Sequence, residues 1–159
     1  MSHIHDKIDF TVEVFVVYKD RVLLRIHDKY KKWLSVGGHI ELDEDPNEAA
    51  AREVKEEVGL NVVLADDLRP FKKETANERE LIPPKFLNRH SVSDTHEHVT
   101  LIYFARAATD ALVIPDNHEK SEETKWFTKA ELGKNDYGIS DTIRFYALRA
   151  LEELATKSI

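Results

Sequence analysis

The chain has 159 residues, of which 42% are hydrophobic, so it is long enough for one domain that buries about 70% of its unfolded surface. It contains no cysteine, which excludes disulfides, thiolate nucleophiles and cysteine-bound zinc and is typical of a reducing compartment. The net charge of −7 argues against a nucleic acid polymer as partner, because proteins that bind one present a basic face.

Two further features set the broad class. No segment approaches the roughly 18 apolar residues of a membrane span, and the N-terminal residues lack the apolar core of a secretion signal. The negative charge is local, because residues 41–57 hold eight carboxylates against Arg52 and Lys55 while the rest of the chain is nearly neutral. We therefore expect a single cytoplasmic domain over residues 1–159, with no membrane partner.

The N-terminal part of the chain predicts a hairpin followed by a short strand. Thr11–Tyr18 and Val22–His27 are rich in β-branched and apolar residues, and Lys19-Asp20 separates them. Trp33–Val36 is a further extended run, which we expect to end at Gly37-Gly38 because glycines often interrupt a strand.

Residues 46–58 have the start and stop signals of a helix. Asp45 suits the N-cap, Pro46 suits the first helical position, and Glu48 can close a capping box with Asp45. Gly59 can adopt the left-handed conformation that ends a helix. We therefore predict a helix over Pro46–Val58.

The remaining elements follow from composition and spacing. Three more strands are predicted, at Val62–Leu64, Thr100–Ala107 and Thr124–Phe127. Residues 65–98 show no sustained periodicity, which favours a functional loop or disorder. Thr128 with Glu131 predicts a capping box for a short helix, and apolar residues at helical spacing from about Asp141 predict a terminal helix. This order of elements predicts an α/β (α+β) fold with helices packed on a mixed sheet.

Three glutamates of the predicted helix, Glu53, Glu56 and Glu57, fall on one strip because they follow the i, i+3, i+4 spacing. Like charges at this spacing repel by about 0.2–0.5 kcal/mol per pair on an exposed helix. A hard cation such as Mg²⁺, which binds carboxylate oxygens, would offset the repulsion. A solvated acidic face is the alternative that these three residues leave open.

The sequence around the helix favours the metal interpretation. Residues 38–60, GHIELDEDPNEAAAREVKEEVGL, contain a glycine, a glutamate after five residues, and an R-E-aliphatic-x-E-E-x-G-aliphatic run after seven more. This resembles the signature of the Nudix hydrolases at every specified position. Val36 replaces a proline that many members carry before the double glycine, a difference that we regard as neutral.

The resemblance implies an α/β/α sandwich with a mixed central sheet and a catalytic loop–helix–loop. Four residues would supply oxygen ligands to Mg²⁺ or Mn²⁺: Gly38 through its carbonyl, Glu53, Glu56 and Glu57. Arg52 and Glu44 would form a pair that orients the strip. The implied activity is cleavage of a phosphoanhydride bond in a nucleoside diphosphate linked to another group, by in-line attack of a metal-activated water. Glu56 is the general base that we favour.

Residues outside the signature are weaker candidates for the metal site. Related enzymes often recruit an acid from the region of Glu97 as a ligand or base, and an ordinary exposed loop glutamate is the alternative. His96 and His98 flank it and would share one face of an extended segment. Such a pair can bind zinc, but without further ligands nearby we favour polar loop residues or contacts to substrate.

Three basic residues are candidate contacts to substrate phosphate: Arg25, Arg89 and His90. Arg25 lies on the second predicted strand, where an exposed strand arginine is the alternative. Arg89 and His90 belong to the 65–98 segment, whose bases could clamp phosphates, although seven interleaved acids make a purely solubilising role a fair rival. For Trp33 we favour a core position over stacking on a base.

The expected substrate is a small nucleotide-type molecule. A downstream proline that ADP-ribose-preferring members tend to carry has no counterpart at Glu74–Asn77, so a nucleoside triphosphate or a nucleotide sugar stays open, with the former favoured. The alternative function is a non-catalytic nucleotide sensor on the same fold. The related isopentenyl diphosphate isomerase needs a cysteine, which this chain lacks. The sequence does not decide the oligomeric state, and a homodimer is among the states it allows.

Overall fold

The structure, a computed structural model, describes residues 4–114 and 123–156. Eight strands and three helices follow one another in this part of the chain: β1 (Ile8–Tyr18), β2 (Arg21–His27), β3 (Lys32–Leu34), β4 (Val36–His39), α1 (Pro46–Val58), β5 (Val62–Leu64), β6 (Phe86–Ser91), β7 (Glu97–Ala107), β8 (Thr124–Thr128), α2 (Lys129–Lys134) and α3 (Asp141–Leu154). None of the three helices in the described residues could span a lipid bilayer.

All eight strands belong to one mixed sheet, whose central order is β3-β2-β1-β7-β5. β1 and β7 run parallel, in a register that places Ile8 opposite Glu97 and Val17 opposite Arg106. The other pairings are antiparallel: β4 lies beside β1, β6 beside β7, and β8 beside β2. Because parallel neighbours need a long connection, β1 and β7 are far apart in sequence and adjacent in space.

Successive residues of β1 enter two different cores, because side chains of a strand alternate between the faces of a sheet. Val12 packs with Val54 of α1 on one face. Phe15 packs with Tyr146 of α3 on the other, where their ring centroids are 5.7 Å apart. Trp33 belongs to the second core and is 8% exposed, which confirms its predicted position. The sheet therefore lies between α1 and α3, and the predicted α/β/α sandwich is confirmed.

The predicted start and stop of α1 are confirmed. The Asp45 side chain accepts hydrogen bonds from the backbone N–H groups of Asn47 and Glu48, at 2.8 and 3.0 Å. The Glu48 side chain in turn accepts from the backbone N–H of Asp45 at 3.0 Å, which completes the capping box. Gly59 ends the helix in the left-handed conformation with φ of 72°. α1 is thus fixed at both ends, and its glutamate strip has a defined position.

Two predictions about β-structure were wrong. β4 continues through Gly37-Gly38, where we expected a strand to end. An added Cβ at Gly37 would lie within 3.0 Å of the Val12 main chain, so the glycine permits close pairing with β1. The 65–98 segment contains β6 and the start of β7, which were not predicted. β6 pairs only with β7 and is largely exposed, so its side chains carry no apolar alternation that a sequence could reveal.

Candidate active site

Arg52 connects the parts of the candidate site. Its guanidinium donates to both oxygens of Glu44, with Nε–Oε2 at 2.8 Å and Nη2–Oε1 at 2.6 Å. Nη1 also donates to Glu53 at 2.9 Å and to Glu56 at 3.1 Å. Nη2 donates to the carbonyl oxygen of His39 at 3.0 Å. One side chain therefore joins the end of β4, the loop before α1 and two acids of the glutamate strip.

The charges of this network shift the pKa values of its members. Hydrogen bonds from Arg52 hold the pKa of Glu44 below its usual value, and the bond to Glu44 raises the pKa of Arg52. The Glu53 carboxyl has the opposite shift, because burial raises its pKa more than Arg52 lowers it. Arg52 therefore favours the ionised form of Glu44, whereas burial disfavours the ionised form of Glu53.

Glu53 owes its position to the absence of a side chain at Gly38. The Glu53 residue is 3% exposed. An added Cβ at Gly38 would lie within 3.0 Å of all three atoms of the Glu53 carboxyl group. The β4 main chain therefore approaches this carboxylate closely only because residue 38 is glycine.

Glu57 points to a different partner. Arg25 on β2 donates through Nη2 to Glu57 Oε1, and the backbone N–H of Gly37 donates to Glu57 Oε2 at 3.1 Å. Arg25 is only 4% exposed, so the exposed-arginine alternative for this residue was wrong. The sheet alternation places Arg25 on the α1 face together with Leu23, which packs against α1.

The three glutamates of the strip therefore do not converge on one point. Glu53 and Glu56 share Arg52, whereas Glu57 pairs with Arg25. These arginines offset the repulsion among the glutamates, so that repulsion alone is not evidence for a bound cation. The donor set nevertheless fits Mg²⁺ or Mn²⁺, because three carboxylates and a close glycine main chain offer hard oxygen ligands.

Glu97, the candidate outside the signature, pairs with Arg89. Arg89 Nε donates to Glu97 Oε2 at 2.9 Å, and Nη2 donates to the same oxygen. Both side chains lie on the α1 face of the sheet. Glu97 and Val99 share a face of β7 with Tyr103, which packs in the α1 core, and Arg89 is opposite Val99. The His90 side chain therefore points to the other face, so the structure does not bring the side chains of Arg89 and His90 to one phosphate site.

On that other face lies a polar cluster that sequence reasoning mostly missed, formed by Asp9, His39, His96 and His98. The Nε2 atoms of His39 and His96 are each 3.2 Å from Oδ2 of Asp9, which is fully buried. The His98 ring centroid is 4.9 Å from that of His39. Burial, and then the neighbouring imidazoles, lower the pKa of His98 to about 4. Only the His96–His98 spacing was visible in the sequence, because Asp9 meets His98 through the pairing of β1 with β7.

Comparisons with known proteins agree with this architecture. A NUDIX domain model matches residues 9–148. The crystal structure of a NUDIX-family hydrolase from Clostridium perfringens has a TM-score of 0.77 and 38% sequence identity, and the match covers 91% of this chain and 97% of that chain. A search of curated proteins gives no match.

Two further solved structures share the fold at lower identity. A MutT NUDIX hydrolase from Burkholderia pseudomallei has a TM-score of 0.62 and 20% identity, with 94% of this chain and 99% of that chain covered. A MutT protein from Methanosarcina mazei Go1 has a TM-score of 0.66 and 15% identity, with 95% and 98% covered. Since the family model spans most of the chain, this protein belongs to the NUDIX family and is a Nudix-type hydrolase.

Proposed function

We propose that this enzyme hydrolyses a phosphoanhydride bond in a nucleoside diphosphate linked to another group and that it depends on Mg²⁺ or Mn²⁺. The observation that carries the proposal is the Arg52 network, which gathers Glu44, Glu53 and Glu56 beside the β4 glycines. A nucleoside triphosphate is the substrate that we favour over a nucleotide sugar. We also propose that residues 1–159 form one domain, since every described strand belongs to one sheet.

The proposed ligands of the cation are the oxygens of four residues: the Gly38 carbonyl and the carboxylates of Glu53, Glu56 and Glu57. Glu97 is a fifth candidate on the same face of the sheet. A bound Mg²⁺ or Mn²⁺ would neutralise charge on the phosphate oxygens and lower the pKa of a bound water. The buried position of the Glu53 carboxyl supports this assignment, because burial raises its pKa and a nearby cation would favour its ionised form.

Arg52 and Glu44 act as positioning residues in this proposal. Glu44 occupies two donors of the guanidinium, which leaves Nη1 directed at Glu53 and Glu56. Arg52 therefore restricts the orientations of these two carboxylates. Such outer partners of metal ligands typically contribute about 10–100-fold to metal affinity or activity.

Glu56 is the acid to which we assign proton transfer. Its side chain is 40% exposed, more than those of Glu53 and Glu57, so a water molecule and substrate can reach it. A carboxylate at hydrogen-bond distance from the attacking water can take its proton as phosphorus is attacked.

Arg25 and Arg89 are the proposed phosphate contacts. Both lie on the α1 face, and each now pairs with an acid that is a candidate ligand, Glu57 and Glu97 respectively. When those acids bind a cation, the guanidinium groups become available to phosphate oxygens, which they can bind in bidentate fashion. His90 faces the other way, and we assign it no phosphate contact.

The test is release of a nucleoside monophosphate from a panel of nucleoside triphosphates and nucleotide sugars with Mg²⁺ or Mn²⁺. Glu56→Gln should lower kcat by about 10²–10⁴-fold, the range for loss of an acid–base group. Glu57→Gln should also abolish most of the activity, because it removes a proposed ligand of the cation. Glu152→Gln on α3 is the matched control and should retain full activity. Full activity in both glutamate variants, or nucleotide binding without turnover, would contradict the proposal, and the latter would favour a sensor.

A further inference from the structure

Asp9 is a carboxylate that the hydrolytic site does not use. It is fully buried at the start of β1, where removal from water is costly unless partners surround the charge. The backbone N–H of His5 donates to its Oδ1 at 2.7 Å, and that of Ile4 donates to its Oδ2 at 3.2 Å. These bonds fix the orientation of the carboxylate and direct it at the imidazoles beside it.

The neighbouring imidazoles come from different parts of the fold. His98 lies opposite Asp9 in the β1–β7 pairing, so both side chains point to the same face of the sheet. His39 ends β4 and lies opposite Thr11, two residues along β1 and therefore also on that face. One nitrogen from each histidine and one Asp9 oxygen all lie within 4.8 Å of one another, the only such group of three in the chain as described.

We propose that Asp9, His39 and His98 bind a dication of the zinc class, at a site distinct from the glutamates of α1. Two imidazoles and one carboxylate suit zinc, whereas Mg²⁺ prefers oxygen ligands alone. Bonds of about 2.0–2.2 Å to a tetrahedral ion separate the ligand atoms by about 3.3–3.6 Å. The 3.2 Å between His39 Nε2 and Asp9 Oδ2 is close to that separation, so small side-chain movements would close the set.

His96 has a supporting role in this site. Its Nε2 lies 3.2 Å from the same Asp9 oxygen, and its Nδ1 is 3.4 Å from the Asp6 carbonyl. A ligating carboxylate normally has a further hydrogen-bonding partner that fixes its orientation. We assign His96 as that partner.

The two sites lie on opposite faces of the sheet. Gly38 faces α1, since an added Cβ there would meet Glu53, whereas the next residue, His39, points away. The connection between them is the His39 main chain, whose carbonyl accepts from Arg52. An ion held by strands β1, β4 and β7 would therefore stabilise the strand that carries Gly37 and Gly38 without contacting the phosphate.

The test measures zinc binding by the untagged, chelator-treated protein in a Glu56→Gln, Glu57→Gln background, which removes carboxylates that compete for the ion. Isothermal titration with zinc alone should show a single ion per chain. Adding His98→Gln or His39→Gln should lower the zinc affinity by more than the about 10–100-fold that loss of an orienting partner costs. His27→Gln, at the end of β2, is the matched control and should leave the affinity unchanged.

A spectroscopic readout separates this site from catalysis. Cobalt(II) added in place of zinc should give a visible absorption band in the parent protein that is lost with His98→Gln. Circular dichroism checks that each variant folds. If one histidine variant does not fold, the zinc affinity of the other tests the proposal. Zinc affinity unchanged in the folded histidine variants, or no zinc binding by the parent at micromolar metal, would overturn the proposal. Neither result depends on which nucleotide the enzyme hydrolyses.

Discussion

Arg25 of β2 donates to one oxygen of Glu57 on α1, while the backbone N–H of Gly37 donates to the other oxygen. An acid expected to bind a cation is therefore held by a buried arginine and by β4. Together with Arg52, which pairs with Glu53 and Glu56, Arg25 offsets the repulsion among the three glutamates of the strip. Under the proposed function, a cation bound by Glu57 would free Arg25 to contact phosphate.

Arg25→Ala should destabilise the metal-free protein and do so less when metal is present. Removing one partner of a buried ion pair typically costs about 3–5 kcal/mol, because the other charge is left without compensation. A cation bound by Glu57 would replace the lost guanidinium. Urea unfolding with and without Mn²⁺ measures this, and an equal loss of stability in both conditions would show that Glu57 does not bind the ion.

Gly38→Ala should impair metal binding far more than a glycine substitution elsewhere. The added methyl group would lie within 3.0 Å of the Glu53 carboxyl atoms, so the carboxylate or β4 must move. Gly133→Ala is the matched control, because an added Cβ there meets nothing within 4 Å. Within α2 the control should be stabilising, by about 0.4–1 kcal/mol. Mn²⁺ titration of both variants tests the prediction, which fails if they bind the ion equally well.

Arg52→Lys should not rescue the loss seen in Arg52→Ala. A lysine ammonium cannot donate to both oxygens of Glu44 and still reach Glu53 and Glu56, as the planar guanidinium does. We expect kcat to fall by about 10–100-fold in both variants, the range for partners that orient ligands. Steady-state kinetics beside Arg149→Lys, an exposed arginine of α3, provides the comparison. Near-normal activity of Arg52→Lys would contradict the prediction, because it would show that only the positive charge at this position matters.

Glu131 should make the free energy of unfolding depend on pH in the acid range. Hydrogen bonds from Thr128, and then Lys125, lower its pKa from 4.5 to about 2. Because the folded-state pKa is depressed, its contribution is fully present above pH 4.5 and is lost as the pH falls towards about 2. Glu131→Gln should flatten the dependence in that window. Urea unfolding at several pH values measures it, and identical slopes for the two proteins would contradict the assignment.

Local signals made α1 predictable from sequence. Asp45, Pro46, Glu48 and Gly59 each act on the backbone within a few residues, so the ends of α1 needed no knowledge of the fold. The signature around Arg52 is also a run of neighbouring residues. The hydrogen bonds between Arg52 and Glu44 therefore form within one loop–helix–loop.

Features that depend on pairing between distant segments were not predictable. β6 forms because β7 is beside it, not because its own side chains alternate. Likewise, His98 joins the proposed zinc site only because the parallel pairing of β1 and β7 brings Asp9 to it. The Arg25–Glu57 contact has the same origin, since β2 and α1 meet only in the folded sheet.

The most direct test of the central claim is a titration of Mg²⁺ into the metal-free enzyme while nucleoside monophosphate release is followed. We predict no release without the cation, a saturable rise with it, and a shift of that curve to higher Mg²⁺ in Glu53→Gln. Release that is independent of Mg²⁺ and Mn²⁺, or a curve that Glu53→Gln leaves unchanged, would contradict a cation bound by the glutamates of α1.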